Sequence, residues 1–309
     1  MVVITEAPAP ARAVPPPVPR RSKRVSRPNA LYLLPAVLFF GLFAAFPLVL
    51  VVYLSFTDWS GVGTPGFIGA ENWIRLFRQD ALWEITSVTL LLTALFWATQ
   101  TPLSILLGVW AAGKQRNRAV LSALFFLPLL LSTAAIALLF NRLFDPYVGI
   151  GRGLEPFRNI LGTASGAITA IVIVVGWQFI PFHTLLYQAA ARNIPNVLYD
   201  AATVDGAGRW HAFWYITLPQ LKNTIITSST ISIVGSLTYF ETIFLMTNGG
   251  PGTATRTLPL EMYFRSFRAY EFGYASTIAS VLVIVATAVS LIIVRFSGFG
   301  KMDSTLEGL

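Results

Sequence analysis

Hydrophobic residues in this chain gather into six long runs, at roughly 31–54, 86–112, 119–140, 166–189, 223–247 and 274–295, separated by polar stretches. Crossing a hydrocarbon layer about 30 Å thick takes ~20 helical residues, so each run is long enough to span a bilayer. Backbone polar groups cannot be left unpaired in lipid, and the six runs therefore predict six helices. Glu241, near the end of the fifth, is the only carboxylate inside any of them.

The pattern predicts an all-α, polytopic membrane protein with one six-helix domain over residues 30–297. Residues 1–29 carry Arg12, Arg20, Arg21, Lys23, Arg24 and Arg27 among Pro8, Pro10, Pro15, Pro16, Pro17, Pro19 and Pro28. Such a segment cannot bury a core and is expected to be a disordered basic tail. The apolar run behind it exceeds a signal-peptide core and lacks a clean small-residue cleavage site, which predicts a retained first helix. Residues 298–309 form a short C-terminal tail.

Composition narrows the chemistry. The chain is 55% hydrophobic and only 12% charged, against roughly a quarter charged in soluble domains. Without cysteine there is no disulfide, thiolate metal site or cysteine nucleophile. The two histidines, His183 and His211, lie in different kinds of segment, so no metal site is expected. None of the four lysines precedes Ser or Thr, which excludes a phosphate-binding P-loop.

Six crossings put both termini on one face, together with the 113–118 and 190–222 loops. That face holds fourteen Lys and Arg and the other eight. Positive residues favour the cytoplasm, which predicts cytoplasmic N- and C-termini and a cytoplasmic 190–222 loop. The net charge of +8 is then a matter of topology, leaving no sign of a nucleic-acid partner.

Within that loop, Pro195 suits the first turn of a helix running through Asn196 to Val204. Gly206 is free to take positive φ and turn the chain. Trp210, Phe213, Trp214 and Ile216 would give a second helix an apolar face, and Pro219 marks the entry to the fifth crossing. By periodicity alone the segment reads equally as a partner surface or as an amphipathic connector lying on the bilayer.

The full spacing goes further. Asp200-Ala201-Ala202, then Gly206, Ile216 and Leu218-Pro219, resembles the EAA loop of ABC transporter permeases, with Asp200 standing where the family has Glu. Thr247-Asn248-Gly249-Gly250-Pro251-Gly252, with Tyr263, Phe267 and Phe272-Gly273, looks like carbohydrate-uptake permeases. Ser55-Phe56-Thr57-Asp58-Trp59 through Gly69 and Asn72-Trp73 looks like the first permease of a maltose-type pair.

This resemblance implies the type I importer permease fold, a bacterial cytoplasmic membrane location and a heterodimer with a second permease. It also implies two ATP-binding subunits and an extracytoplasmic solute-binding protein. ATP and Mg would bind those ATPase subunits, leaving this chain with no cofactor and no enzyme activity of its own. Tyr199, Asp200, Ala201, Ala202, Asp205, Gly206, Ala207, Ile216, Leu218 and Pro219 would then form the coupling element that sits in the ATPase cleft.

Ser228, Ser232, Ser236 and Tyr239 recur at helical spacing on one face of the fifth run. A polar stripe there either bonds a neighbouring helix or lines a solute path. Trp177 and Gln178 precede Pro181 in the fourth run, where a buried amide needs a partner and the proline is expected to kink the helix. By the resemblance, Thr133, Trp177, Gln178, Ser232, Ser236 and Tyr239 are the solute-path candidates, with Trp177 equally a packing residue. Two rivals stay open. In a proton-driven carrier Glu241 would relay protons, unless an outer arginine such as Arg256 simply pairs with it. In a membrane scaffold or receptor the Asp200 loop would dock a signalling partner.

Overall fold

Apolar runs with few breakers become long helices, and the computed structural model, which describes residues 30–113 and 125–297, contains four that are long and apolar enough to cross a membrane: Leu34–Leu54, Leu82–Ala112, Ala164–Arg192 and Phe272–Arg295. The expected basic tail of 1–29, the 114–118 part of the tight loop, the start of the third run and the C-terminal tail of 298–309 lie outside the described residues. No strand occurs among those described, apart from an isolated bridge between Thr57 and Phe67.

The chain divides into two units, Met1–Pro47 and Leu48–Leu309. The first holds α1 (Leu34–Phe40), followed by a π-helical turn over Gly41–Ala45. Its ring pair Phe39 and Phe43 sits 4.7 Å apart, one helical turn separating the two. The wide turn comes just before Pro47, which has no N–H to donate, and opening the helix there relieves the missing bond.

The helix α2 (Phe46–Leu54) begins in the first unit and continues into the second, where it ends at a short ribbon; then come α3 (Glu71–Arg78) and α4 (Asp80–Ala112). Further on lie α5 (Thr133–Leu143), α6 (Ala164–Arg192), α7 (Asn196–Val204), α8 (Arg209–Ala212), α9 (Leu218–Gln220), α10 (Lys222–Leu237), α11 (Glu241–Met246), α12 (Leu258–Phe267) and α13 (Phe272–Ser297). The pair α4 and α6 forms the centre, with α10 on α4 and α13 on α12 and α10. They approach closely at Gly108, where a Cβ would lie 2.6 Å from that of Tyr187. Leu92 and Phe96 of α4 pack with Ile171 and Val175 of α6, Ile243, Leu260 and Phe264.

Two expected spans are interrupted. The third run breaks at Leu131-Ser132: Ser132 is extended, and its hydroxyl accepts the Ala135 N–H at 3.1 Å, so α5 starts anew there. The fifth run stops at Leu237 and resumes at Glu241. Between them Tyr239 turns its ring edge-on to Phe96 and Phe179, while Phe240 stacks on Phe244. Aromatic docking outweighs helix continuation at this point. In contrast, α6 continues through Pro181 and α4 through Pro102.

Candidate coupling loop and solute cavity

Local sequence fixes the shape of the 195–219 segment. α7 ends in a Schellman turn: the Ala207 N–H donates to the Ala202 carbonyl at 2.8 Å and the Gly206 N–H to Thr203 at 3.1 Å, with Gly206 at φ +77°. α8 runs into a π-helical turn over Phe213–Thr217. The hydroxyls of Tyr199 and Thr217 lie 2.9 Å apart and tie the two halves together.

One side of this hairpin is an anchor. Phe213 and Leu218 pack with Leu221 and Ile225 against Ile105 and Val109 of α4 and Tyr187, Ala190 and Ala191 of α6. The opposite side is bare: Asp200, Ala201, Asp205 and Pro219 are exposed, as are Val197, Val204, Trp210, Trp214 and Tyr215. Tyr199, Ala202, Ala207, Ile216 and Leu218 are half-buried. The single apolar face expected of the second helix is therefore divided. Phe213 turns inward into the cluster with Leu218 and Leu221, while Trp210, 72% exposed, turns out.

A cavity of about 280 Å³ lies between α4, α6 and α10, and it collects Ser232, Ser236 and Tyr239 from the serine stripe. Ser236 Oγ donates to the Ser232 carbonyl at 2.6 Å, and Tyr239 Oη lies 2.8 Å from Thr242 Oγ1. Ser232 Oγ is buried without a hydrogen-bond partner among the described residues. Phe96, Phe179 and Phe182 supply ring surface, and Gln100 and His183 add polar groups. His183 Nδ1 sits 2.8 Å from Ser228 Oγ, so the fourth member of the stripe joins α10 to α6.

The other candidates fall elsewhere. Gln178 Nε2 donates to Thr133 Oγ1 at 3.0 Å, a clasp between α6 and α5, and neither residue lines the cavity. Trp177 packs edge-on to Phe140 at 5.4 Å. The sequence reading missed Gln100, and weighed His183 only as a metal ligand and not as a cavity residue, although an amide two residues before Pro102 and a histidine two residues after Pro181 were visible signals. Among the described residues no cluster of His, Asp or Glu could hold a metal ion.

Glu241 stands exposed in the first turn of α11 and makes no ion pair among the described residues. Arg256 is not its partner. The Arg256 Nε donates instead to Glu261 at 2.6 Å, and Arg265 Nε donates to the other oxygen of the same buried carboxylate at 2.7 Å. Arg265 and Arg75 both reach Glu271. Burial alone would raise the Glu271 carboxyl, but hydrogen bonds and charge from these two arginines hold it below the usual carboxylate range. Asn72 Nδ2 completes this end of the molecule, donating to the carbonyls of Ser55 at 3.1 Å and Thr57 at 2.7 Å.

A bundle of long apolar helices around a polar and aromatic cavity, carrying an exposed helical hairpin on a packed base, defines a multi-pass membrane transport subunit. The chain belongs to the family of binding-protein-dependent transport system inner membrane components, whose model matches residues 104–299. It is thus an ABC transporter permease. It is 34% identical to a probable ABC transporter permease of Pyrococcus horikoshii, over 84% of this chain and 92% of that one. Identity is 31% with the multiple sugar-binding transport system permease MsmF of Streptococcus mutans, over 82% and 90%, and 32% with the trehalose/maltose permease MalF of Thermococcus litoralis, over 74% and 80%. In fold it is similar to a bacterial ABC transporter involved in alginate import, with a TM-score of 0.76 at 22% identity, covering 86% of this chain and 93% of that one.

Proposed function

We propose that this chain is one of two permeases in a bacterial importer that moves a sugar or sugar-like solute inward, using ATP hydrolysed on separate subunits. Family membership is the observation that carries this reading, and the sugar class is supported by relatives named for multiple sugars, lactose, diacetylchitobiose and trehalose/maltose. The termini and the 190–222 loop face the cytoplasm. Asp200, Ala201 and Asp205 are the surface offered to an ATPase subunit, which holds ATP and Mg, and the packed base beneath them passes its movement to α4 and α6. A loaded solute-binding protein docks at the opposite end. Each partner shifts the bundle between inward- and outward-open states only by its differential affinity for the two.

Solute passes the Ser232, Ser236 and Tyr239 cavity, where hydroxyls and an amide match a sugar's polar edge and the phenylalanine rings its apolar face. The proton-carrier alternative is not favoured, because Glu241 is exposed and no hydrogen-bonded chain leads from it among the described residues.

The test uses proteoliposomes containing the full complex and radiolabelled di- and oligosaccharides. Since the chain has no cysteine, Ala201→Cys is expected to form a disulfide with a cysteine placed in the ATPase cleft, and the cross-link to abolish uptake. Full uptake in the cross-linked complex, or ATP-independent uptake abolished by Glu241→Gln, would overturn the proposal.

A further inference from the structure

Far from the hairpin, a cleft of about 330 Å³ opens between Arg256, Phe264, Arg265, Arg268 and Ala269. Its position follows from α4: Leu258 N donates to Thr89 Oγ1 near one end, and Gln188 Nε2 donates to the Ala111 carbonyl near the other. At 1.5 Å per residue those contacts are about 33 Å apart. The cleft therefore lies at the end opposite the hairpin, and of its residues none lines the solute cavity.

Its arginines are held in place but not used up. Phe264 carries the Arg256 guanidinium 4.9 Å from its ring centroid and that of Arg268 4.1 Å from it. Such stacking orients the planar group while leaving its edge donors open. Among the described residues, Arg256 spends only Nε, on Glu261, and Arg268 only one Nη, on Asn248 Oδ1. The ion-pair network of this end sets two carboxylates, Glu261 and Glu271, against Arg75, Arg256 and Arg265. Arg268 adds a further positive charge that no carboxylate among the described residues pairs. Glu84, the other acid that bonds this loop, is occupied by the Thr253 hydroxyl.

We propose that this cleft receives a carboxylate side chain of the solute-binding protein, gripped by the open donors of Arg256 and Arg268. Arginine forks suit carboxylates, and a rim charge steers association while screening by salt weakens it. The inference rests on the function proposed above, since it needs a protein that docks on this end. An acidic group on the solute is the other source of the same chemistry, but the cleft's separation from the cavity favours the docking protein.

Reconstituted complex is titrated with loaded solute-binding protein while ATPase stimulation is measured at 50 and 500 mM salt. Arg268→Glu, which leaves both Glu261 ion pairs intact, is expected to raise the half-saturating concentration about tenfold at low salt with the maximal rate unchanged, as like charges meet across the interface. High salt should narrow the gap, and a charge-reversed acid on the binding protein should restore the low-salt value. Unchanged half-saturation in Arg268→Glu would overturn the cleft while the transport reading stood. Loss confined to uronate-bearing saccharides, with neutral ones taken up normally, would overturn it in favour of a solute site. A wild-type complex that binding protein never stimulates would remove both readings.

Discussion

The two ends of the bundle are built on opposite principles. At the end formed by the 55–73 and 248–273 segments, polar groups are spent on one another: Asn72 grips two carbonyls, Glu261 holds two arginines, and Glu271 holds two as well. At the hairpin end the same kinds of side chain are left unspent, with Asp200 and Asp205 exposed and bonded to nothing among the described residues. A buried charge must be paired to be tolerated, whereas an exposed one costs little and stays available. The first end thus fixes its own shape while leaving the outer donors of Arg256 and Arg268 open, and the second leaves its acidic side chains exposed and unbonded among the described residues.

The contrast is broken most severely by removing its central carboxylate. Glu261→Ala leaves Arg256 without its carboxylate and Arg265 with Glu271 alone, and breaking a buried pair from one side costs about 3 kcal/mol. The eight tryptophans provide an intrinsic fluorescence signal, in which the melting midpoint should fall by several degrees. An unchanged midpoint would mean that the network adds nothing to stability.

At the hairpin the corresponding weak point is backbone rather than charge. A Cβ at Gly206 meets open space, so Gly206→Val is opposed only by its φ of +77°, at a cost of about 1–2 kcal/mol. Most of that is expected to open the Schellman turn locally, giving a small change in melting midpoint but a large loss of coupled uptake. Gly206→Ala, which tolerates positive φ better than a β-branched residue, should fall between the two.

Acid sharpens the comparison through Glu271 at the paired end. The Glu271 carboxyl is lowered in the fold, so its contribution is present above the unfolded value of about 4.3 and is lost as pH falls through the lower folded value. A melting-point titration should show this loss shrink when Glu271 is replaced by Gln. The group is partly exposed, and the effect should be modest.

Much of this architecture was legible in the chain, and the exceptions have physical causes. Long apolar runs without competing chemistry became helices, and the Asp200 to Pro219 spacing lay on an exposed hairpin with a glycine turn. Hydropathy could not see the breaks at Ser132 and Phe240, because a capping hydroxyl and ring docking interrupt a helix without interrupting its hydrophobicity. Nor could it divide the polar candidates. Ser232, Ser236 and Tyr239 share one helix face and reached one cavity, whereas Gln178 met its partner Thr133 on another helix, a pairing that only tertiary structure creates. Gln100, and His183 as a cavity residue, were missed because neither belongs to a polar stripe at helical spacing such as Ser228 to Tyr239, and the meaning of each depends on what faces it.

The smallest expected effect on the fold is also the most diagnostic. Asp200 is exposed and touches no partner among the described residues, so Asp200→Ala should leave the melting midpoint unchanged, as surface substitutions stay within about 0.5 kcal/mol. If the side chain reaches an ATPase subunit, the same variant should lower binding-protein-stimulated ATPase activity and uptake together. Asp200→Glu, which lengthens the side chain by one methylene toward the family's residue, should retain both. A variant that melts normally and transports normally would show that the hairpin engages its partner through Ala201, Val204 and the turn at Gly206, with the carboxylate a bystander. Equal stability with unequal coupling would establish that the unspent end of the bundle is where function is kept, since no internal contact has been removed to account for the loss.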